Sequence, residues 1–172
     1  GHRDGSGHEG HPPLFYAGKI ITDDLLRHGA DVDARDTTPN YKGYTALLHA
    51  AALGELDVVR SLLDAGADIE TKCDVRGNTP LYGAVVNNHP RVVEVLLAHG
   101  AEVSPVNDDG WTPLGTAAVR GHVKVVKALL NAGVDPDARH SLGLNSTGYT
   151  ALLYAAAEGH VDVVRSLLKA GA

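Results

Sequence analysis

The sequence is poor in several features that define whole classes of proteins. Cysteine occurs once, as Cys73, which excludes an internal disulfide framework and a zinc site of the CxxC type. No apolar run approaches the roughly 18 residues of a membrane span, so we expect no membrane insertion. Acidic residues outnumber basic ones by 21 to 15. Because nucleic-acid affinity rests on clustered Lys and Arg, we expect no nucleic-acid partner.

Methionine is absent and aromatic residues make up only 5% of the chain. Without Met at position 1, we expect the chain to be a processed or excised piece of a longer protein. Few large core residues, together with 20 glycines, predict thin layers built from small side chains. The single Cys73 fits a reducing compartment, so we expect a cytoplasmic location, with the nucleus as the alternative.

What the sequence does contain is an internal repeat. A Gly-x-Thr motif begins at Gly43, Gly77, Gly110 and Gly148, with spacings of 34, 33 and 38 residues, and a degenerate unit precedes it from Pro12. The threonine of each motif is predicted to cap a short Ala-rich helix. A second helix follows with apolar residues at helical spacing and ends at a glycine. Each unit therefore reads as helix, turn, helix and extended connection.

These units resemble ankyrin repeats, whose consensus contains G-x-T-P-L-H-x-A-A-x-x-G-H and a second helix ending in L-L-x-x-G-A-D-V. The resemblance implies an all-α ankyrin-repeat solenoid of stacked helix-turn-helix units with β-hairpin fingers. We expect a disordered tail over 1–11 and an ankyrin repeat domain over 12–172, excised from a longer array. Its repeats are placed at about 12–36, 43–74, 77–107, 110–140 and 148–172.

The sequence also departs from the family pattern. The first unit is shortened, and the histidine of the consensus TPLH is replaced by Leu48, Tyr82, Gly115 and Leu153. Two fingers, 35–42 and 139–147, are longer than the others, and they are either walls of a binding cleft or neutral loop variation. The second and fifth units, which follow these two fingers, are closely similar to each other. Of the 24 residues that begin at Tyr44 and at Tyr149, 19 are identical. Gly83 and Gly115 lie inside first helices, where they either make room for a ligand or let helices approach.

The resemblance implies a binding module that uses its finger tips and the concave surface of its first helices. The variable residue of each Gly-x-Thr motif, at the base of a finger, is Tyr44, Asn78, Trp111 or Tyr149. Tyr and Trp dominate interface hot spots, although these rings have the alternative of packing only along neighbouring fingers. The full set of predicted partner-binding residues is Tyr41, Lys42, Tyr44, Leu53, Arg76, Asn78, Asn87, Asp109, Trp111, Arg120, Leu144, Tyr149 and Glu158.

Motifs that would indicate catalysis are missing. The sequence has no nucleophile elbow, phosphate-binding loop or HExxH motif. Of the ten histidines, His89, His122 and His160 follow the inter-helix position of the repeat, and His8 with His11 in the tail makes too small a ligand set for a metal. We therefore predict no enzyme activity, no cofactor and no metal.

The sequence thus predicts a protein-protein interaction module that binds a protein or peptide partner of unknown identity. One alternative is a structural spacer or a self-association segment of a larger protein, joined end to end through Val161–Ala172. Another is an enzyme with a His/Asp site that the motifs do not reveal.

Overall fold

A computed structural model describes residues 12–139 and 148–172 of the chain. In those two ranges the chain is helical and has no β-strand, although Arg139 and Thr150 form an isolated antiparallel bridge. A 3-10 helix, Pro13–Tyr16, precedes nine α-helices. These are α1 Lys19–Arg27, α2 Ala46–Leu53, α3 Leu56–Asp64, α4 Pro80–Val86, α5 Pro90–Ala98, α6 Pro113–Val119, α7 Val123–Asn131, α8 Ala151–Ala157 and α9 Val161–Lys169. The predicted all-α solenoid is confirmed.

The first helix of each full repeat begins at a threonine, as the sequence predicts. The hydroxyl oxygen of Thr45 accepts a hydrogen bond from the N–H of Leu48 at 3.4 Å. The same bond forms at Thr79, Thr112 and Thr150. In α4 and α6 a proline occupies the first helical position, where no N–H is needed. Each such cap contributes about 1 kcal/mol to helix stability.

The helices bury their apolar residues between neighbouring repeats. First helices α2, α4, α6 and α8 pack in one row, and second helices α3, α5, α7 and α9 pack in another. Leu47, Leu81 and Leu114 of the first row and Leu62 and Leu96 of the second are almost completely buried. A buried leucine contributes about 1.5–3 kcal/mol relative to an exposed one. The core is therefore one continuous strip along the stack.

The shortened first unit closes against the second repeat with a 3-10 turn in place of a full first helix. Leu14 and Phe15 of this turn are buried, and α1 packs on α3. Thr22 of α1 is fully buried, and its hydroxyl donates to the carbonyl oxygen of Ala17 at 2.9 Å. A polar residue thus lies in the core without an unsatisfied hydroxyl.

Three histidines link consecutive repeats through ring nitrogens that donate to backbone carbonyl groups. His89 contacts Ala52 at 3.1 Å, His122 contacts Val85 at 3.0 Å, and His160 contacts Val119 at 3.1 Å. These are the three histidines that the sequence places after the inter-helix position. Their bonds satisfy carbonyl groups at the ends of the first helices.

The fingers are hairpin turns closed by backbone hydrogen bonds. The N–H of Asn107 donates to the carbonyl of Trp111 at 3.2 Å, and equivalent bonds close the two preceding fingers. Neighbouring fingers are joined by the N–H of Asp108, which donates to the carbonyl of Arg76 at 3.0 Å. The predicted tail 1–11 and residues 140–147 of the last finger lie outside the described residues.

Candidate protein-binding groove

A cavity of about 300 Å³ lies between the third and fourth repeats, and we call it the central cavity. Five of the residues that the sequence selects for partner binding line it, and they come from two fingers and the end of α6. Its lining is Arg76, Asn78, Tyr82, Val86, Asn107, Asp109, Trp111, Thr116, Val119 and Arg120. Sites predicted separately along the chain are therefore brought together here.

Two asparagines hold the finger side of the central cavity. The Nδ2 group of Asn107 donates to Oδ1 of Asn78 at 3.2 Å. Oδ1 of Asn107 accepts a hydrogen bond from the backbone N–H of Trp111 at 2.9 Å. Since Asn107 is buried, these bonds fix the finger on which Trp111 stands.

Tyr82 forms the floor of the central cavity and was not among the predicted site residues. Its side chain is buried, and its hydroxyl oxygen lies 2.9 Å from the hydroxyl of Thr116 on the next first helix. Burial raises the pKa of Tyr82 above its ordinary value. The phenol therefore stays protonated and bridges α4 to α6 as a neutral hydrogen-bonding group.

Charged residues form the rim. Arg76 and Asp109 make an ion pair of 3.9 Å, and both side chains are more than half exposed. Arg120 follows α6 directly and is exposed. Its guanidinium group has no carboxylate partner among the described residues. The rim thus carries two arginines and one aspartate.

Trp111 also belongs to a group of aromatic rings that reaches the last repeat. Its ring centroid lies 5.1 Å from that of Tyr154, and the Tyr154 ring lies 5.6 Å from Tyr149. Tyr149 is 49% exposed. Burial raises the pKa of Tyr154, which is not among the predicted site residues. The two predicted anchors are therefore joined through a third ring.

Tyr41 and Tyr44 belong to a separate aromatic cluster in the first two repeats. The Tyr41 ring lies 5.7 Å from Tyr44 and 5.4 Å from Phe15 in edge-on geometry. Phe15 in turn stacks on His49 at 4.0 Å. Burial raises the pKa of Tyr44. Tyr41 and Tyr44 thus belong to one cluster with Phe15 and His49, and neither tyrosine lines the central cavity.

The other predicted site residues lie outside the central cavity. Lys42, Leu53, Asn87 and Glu158 are exposed, and Leu53 shows 55% of its surface. Asn87 ends α4 and donates from its side chain to the carbonyl of Gly83 at 3.0 Å. Leu144 is in the part of the last finger that lies outside the described residues.

Neither a metal-binding cluster nor a membrane-spanning helix is found in the described ranges. Among residues 12–139 and 148–172, no group of three or more His, Cys, Asp or Glu is arranged to hold a metal ion. In the same ranges, none of the helices combines the length and apolar character that a bilayer crossing requires.

Comparison with known families identifies the architecture. A family model described as "Ankyrin repeats (3 copies)" matches residues 14–107 and again residues 100–172. The chain belongs to the ankyrin-repeat family. Ankyrin repeats are generally protein-protein interaction modules.

Similar curated proteins match this chain over a small part of their own length. The mouse B-cell lymphoma 3 protein homolog is 37% identical over 86 residues, which cover 50% of this chain and 18% of that protein. An Arabidopsis thaliana E3 ubiquitin-protein ligase is 39% identical over 74 residues, or 43% of this chain and 14% of the ligase. Mouse ankyrin repeat and SAM domain-containing protein 6 is 34% identical over 94 residues, or 54% of this chain and 11% of that protein. The matched ankyrin segment thus spans less than a fifth of each relative.

Proposed function

We propose that this ankyrin-repeat chain binds a partner protein through the surface around the central cavity and the neighbouring finger tips. The observation that carries the proposal is the meeting of Arg76, Asn78, Asp109, Trp111 and Arg120 around one cavity. These residues come from two fingers and the end of α6, and none of them belongs to the buried hydrophobic core of the described residues. A surface of this kind fits a partner segment that crosses two repeats.

Trp111 is the anchor of the proposed interface. Trp, Tyr and Arg are enriched among residues whose loss costs 2 kcal/mol or more in binding. The Trp111 ring is held on Tyr154, and its backbone is held by Asn107. A partner would therefore meet an already ordered ring, so little side-chain entropy is lost on binding.

The exposed ring of Tyr149 extends the proposed surface toward the last repeat. The long fingers 35–42 and 139–147 are proposed to add specificity at either side. The chain itself is proposed to act without catalysis, cofactor or metal. A cytoplasmic location is proposed on the single unpaired Cys73, which is buried.

A comparative capture experiment tests the groove proposal. The wild type and the Trp111→Ala, Tyr149→Ala and Arg91→Ala variants are immobilised, and proteins captured from a lysate of the native host are quantified by mass spectrometry. Arg91 is exposed on α5, away from the cavity lining, and serves as the matched control. We expect one or more proteins to bind the wild type and Arg91→Ala but to bind Trp111→Ala about thirtyfold more weakly, which is about 2 kcal/mol.

Circular dichroism and thermal unfolding establish that each variant is folded before capture is compared. The groove proposal is wrong if every specifically captured protein binds the folded Trp111→Ala and Tyr149→Ala variants as well as it binds the wild type. Turnover of a captured protein by the purified chain would contradict the proposal that it is not an enzyme.

A second candidate function is self-association through the last repeat. Leu153, Val161 and Leu168 are 51%, 58% and 54% exposed. Leu48, the counterpart of Leu153 in the closely matching second repeat, is 1% exposed because the third repeat covers it. Leu56 and Leu63, the counterparts of Val161 and Leu168 in the second repeat, are half-buried. The last repeat, with its segment Val161–Ala172, therefore exposes apolar side chains that an interior repeat covers wholly or in part, and a second copy is the proposed occupant.

Analytical ultracentrifugation over a wide concentration range tests this second candidate. We expect a concentration-dependent rise in mass for the wild type and its loss in Leu168→Lys, since a charge cannot be buried cheaply in an apolar contact. Lys169→Ala, a neighbouring change that removes a charge, serves as the control. A wild type that stays monomeric at every concentration contradicts self-association.

A further inference from the structure

The central cavity contains more positive than negative charge, although the whole chain has a net charge of -6. Two guanidinium groups, Arg76 and Arg120, border it, against the single carboxylate of Asp109. The ion pair between Arg76 and Asp109 is long at 3.9 Å, and both groups are exposed. Such pairs contribute little to stability. An incoming anion can therefore contact Arg76 without displacing a strong interaction.

Arg120 is the stronger recognition element. It stands at the end of α6 and is exposed, and no carboxylate of the described chain pairs with its guanidinium group. A guanidinium group presents several N–H donors in a planar fork that matches a carboxylate. Of the two arginines of the cavity, Arg120 thus has no carboxylate partner among the described residues, and Arg76 has only a long ion pair with Asp109.

The neutral polar groups of the cavity mainly satisfy one another. Asn78 accepts from Asn107, and the Tyr82 hydroxyl is bonded to Thr116. The charge of a ligand that binds in the cavity is consequently selected by Arg76 and Arg120 and not by these neutral groups. The remaining lining from Val86 and Val119, together with the Trp111 ring, is apolar. This combination suits a side chain with a hydrocarbon stem and an anionic end.

We propose that the central cavity binds a glutamate side chain of the partner protein, with its carboxylate on Arg120 and secondarily on Arg76 and its stem against Trp111. This inference rests on the proposed function, since it names what the same groove binds. A volume of about 300 Å³ is at the lower end of the range for ligand sites and suits one or two side chains. A lysine in the same place would meet two like charges.

Nucleic acid fits this surface poorly. Outside the cavity lining, the adjoining fingers carry the exposed Asp74 and Asp108, and these carboxylates would repel the phosphate groups that follow along a nucleic-acid strand. Affinity for a nucleic-acid backbone rests on several Lys and Arg contacts spread along the strand. Two arginines in a single cavity instead suit one carboxylate.

Selection of peptides provides the probe for this proposal. A phage-displayed library of random linear peptides is selected on the full chain, on Arg120→Glu and on Arg91→Glu, which makes the same charge change on the exposed side of α5. We expect peptides selected by the wild type and by Arg91→Glu to share a glutamate next to an apolar residue. We expect Arg120→Glu to lose this preference.

A double-mutant cycle then measures the contact itself. For a selected peptide, replacing its glutamate with glutamine is expected to weaken binding to the wild type by about tenfold to a hundredfold. The same replacement is expected to change binding to Arg120→Ala by less than about threefold, because the partner of the carboxylate is already gone. Binding of the glutamate peptide to the wild type should also weaken as salt is raised.

The possible results separate this inference from the proposed function. Peptides that depend on Trp111 but show no preference for an acid, or whose preference survives in Arg120→Ala and in Arg76→Ala, overturn the glutamate site and leave the groove function standing. A library that yields only peptides insensitive to Trp111→Ala overturns both.

Discussion

At the residue scale, His122 of the fourth repeat and His160 of the fifth repeat use different ring nitrogens in their hydrogen bonds to the preceding repeat. A Cβ atom at Gly121 would lie 2.7 Å from Nδ1 of His160, so a larger residue there would require the ring to move. Asn88 takes the equivalent place one repeat earlier, with a φ of 59°. There His122 donates from Nδ1 to Val85, whereas His160 uses Nε2. The change from glycine to asparagine accounts for the different ring placement.

Replacing Gly121 with alanine should destabilise the fold more than replacing Gly133. Both glycines have a positive φ, of 70° and 88°, which costs an alanine about 1–2 kcal/mol. Only Gly121 also faces a ring, since a Cβ atom at Gly133 meets nothing within 4 Å. Urea unfolding is expected to show a loss of at least about 1 kcal/mol more for Gly121→Ala. Equal losses for the two variants would show that the His160 ring moves aside freely.

His122 should make stability depend on pH. Burial lowers the pKa of this histidine below its ordinary value, partly offset by the bond to Val85. The unfolded chain therefore takes up a proton near pH 6.5 while the folded chain does not. We expect the free energy of unfolding to fall as pH drops below about 7 and to fall less steeply in His122→Gln. The exposed His28→Gln is the control, and parallel pH profiles for the wild type and His122→Gln would contradict the prediction.

At the scale of the element, the bounds of the helices follow closely from the sequence. The four capping threonines act as predicted because their hydroxyl groups accept from N–H groups only three residues away. The role of Tyr82 could not be predicted in this way. Its hydroxyl meets Thr116, which is 34 residues further along the chain, and its position in the sequence shows only that the consensus histidine is missing.

Contacts between adjacent repeats also explain which of the predicted site residues lie together and which do not. Arg76, Trp111 and Arg120 share a cavity because adjacent fingers and α6 lie side by side. Tyr44 has the same place in its motif as Trp111, yet it joins the cluster around Tyr41 because the shortened first unit supplies Phe15 there. Motif position gives the face on which a residue lies, whereas its ring neighbours depend on the adjoining repeat.

Helix α4 should gain stability from an alanine at Gly83. A Cβ atom there would lie 3.5 Å from Cβ of Ala52 on α2, which is an ordinary contact. Removing a glycine from a helix interior contributes about 0.5–1 kcal/mol. Thermal unfolding of Gly83→Ala is therefore expected at a higher midpoint than that of the wild type. If capture of partners weakens in the same variant, Gly83 makes room for a ligand.

At the scale of the whole molecule, stability should vary along the stack. Helix α5 packs on both α3 and α7, whereas the extensive contacts of α9 with other described helices are those with α7 and α8. Repeat proteins are stabilised mainly by contacts between nearest neighbours. Hydrogen exchange followed by mass spectrometry is expected to show slower exchange for the backbone amides of α5 than for those of α9. Equal protection of the two helices would indicate unfolding as a single unit, or a partner copy covering α9.

Among residues 12–139 and 148–172, the extensive helix contacts lie within a repeat or between neighbouring repeats, and none of them joins distant repeats. A pulling force applied at the two ends would consequently pass through each repeat interface in series, because no extensive helix contact of the described residues bridges repeats that are not neighbours. The weakest interface would open first while the others kept their structure. Extension would then proceed in steps, and the chain could lengthen at one end while Trp111 and Arg120 still held a partner between the third and fourth repeats.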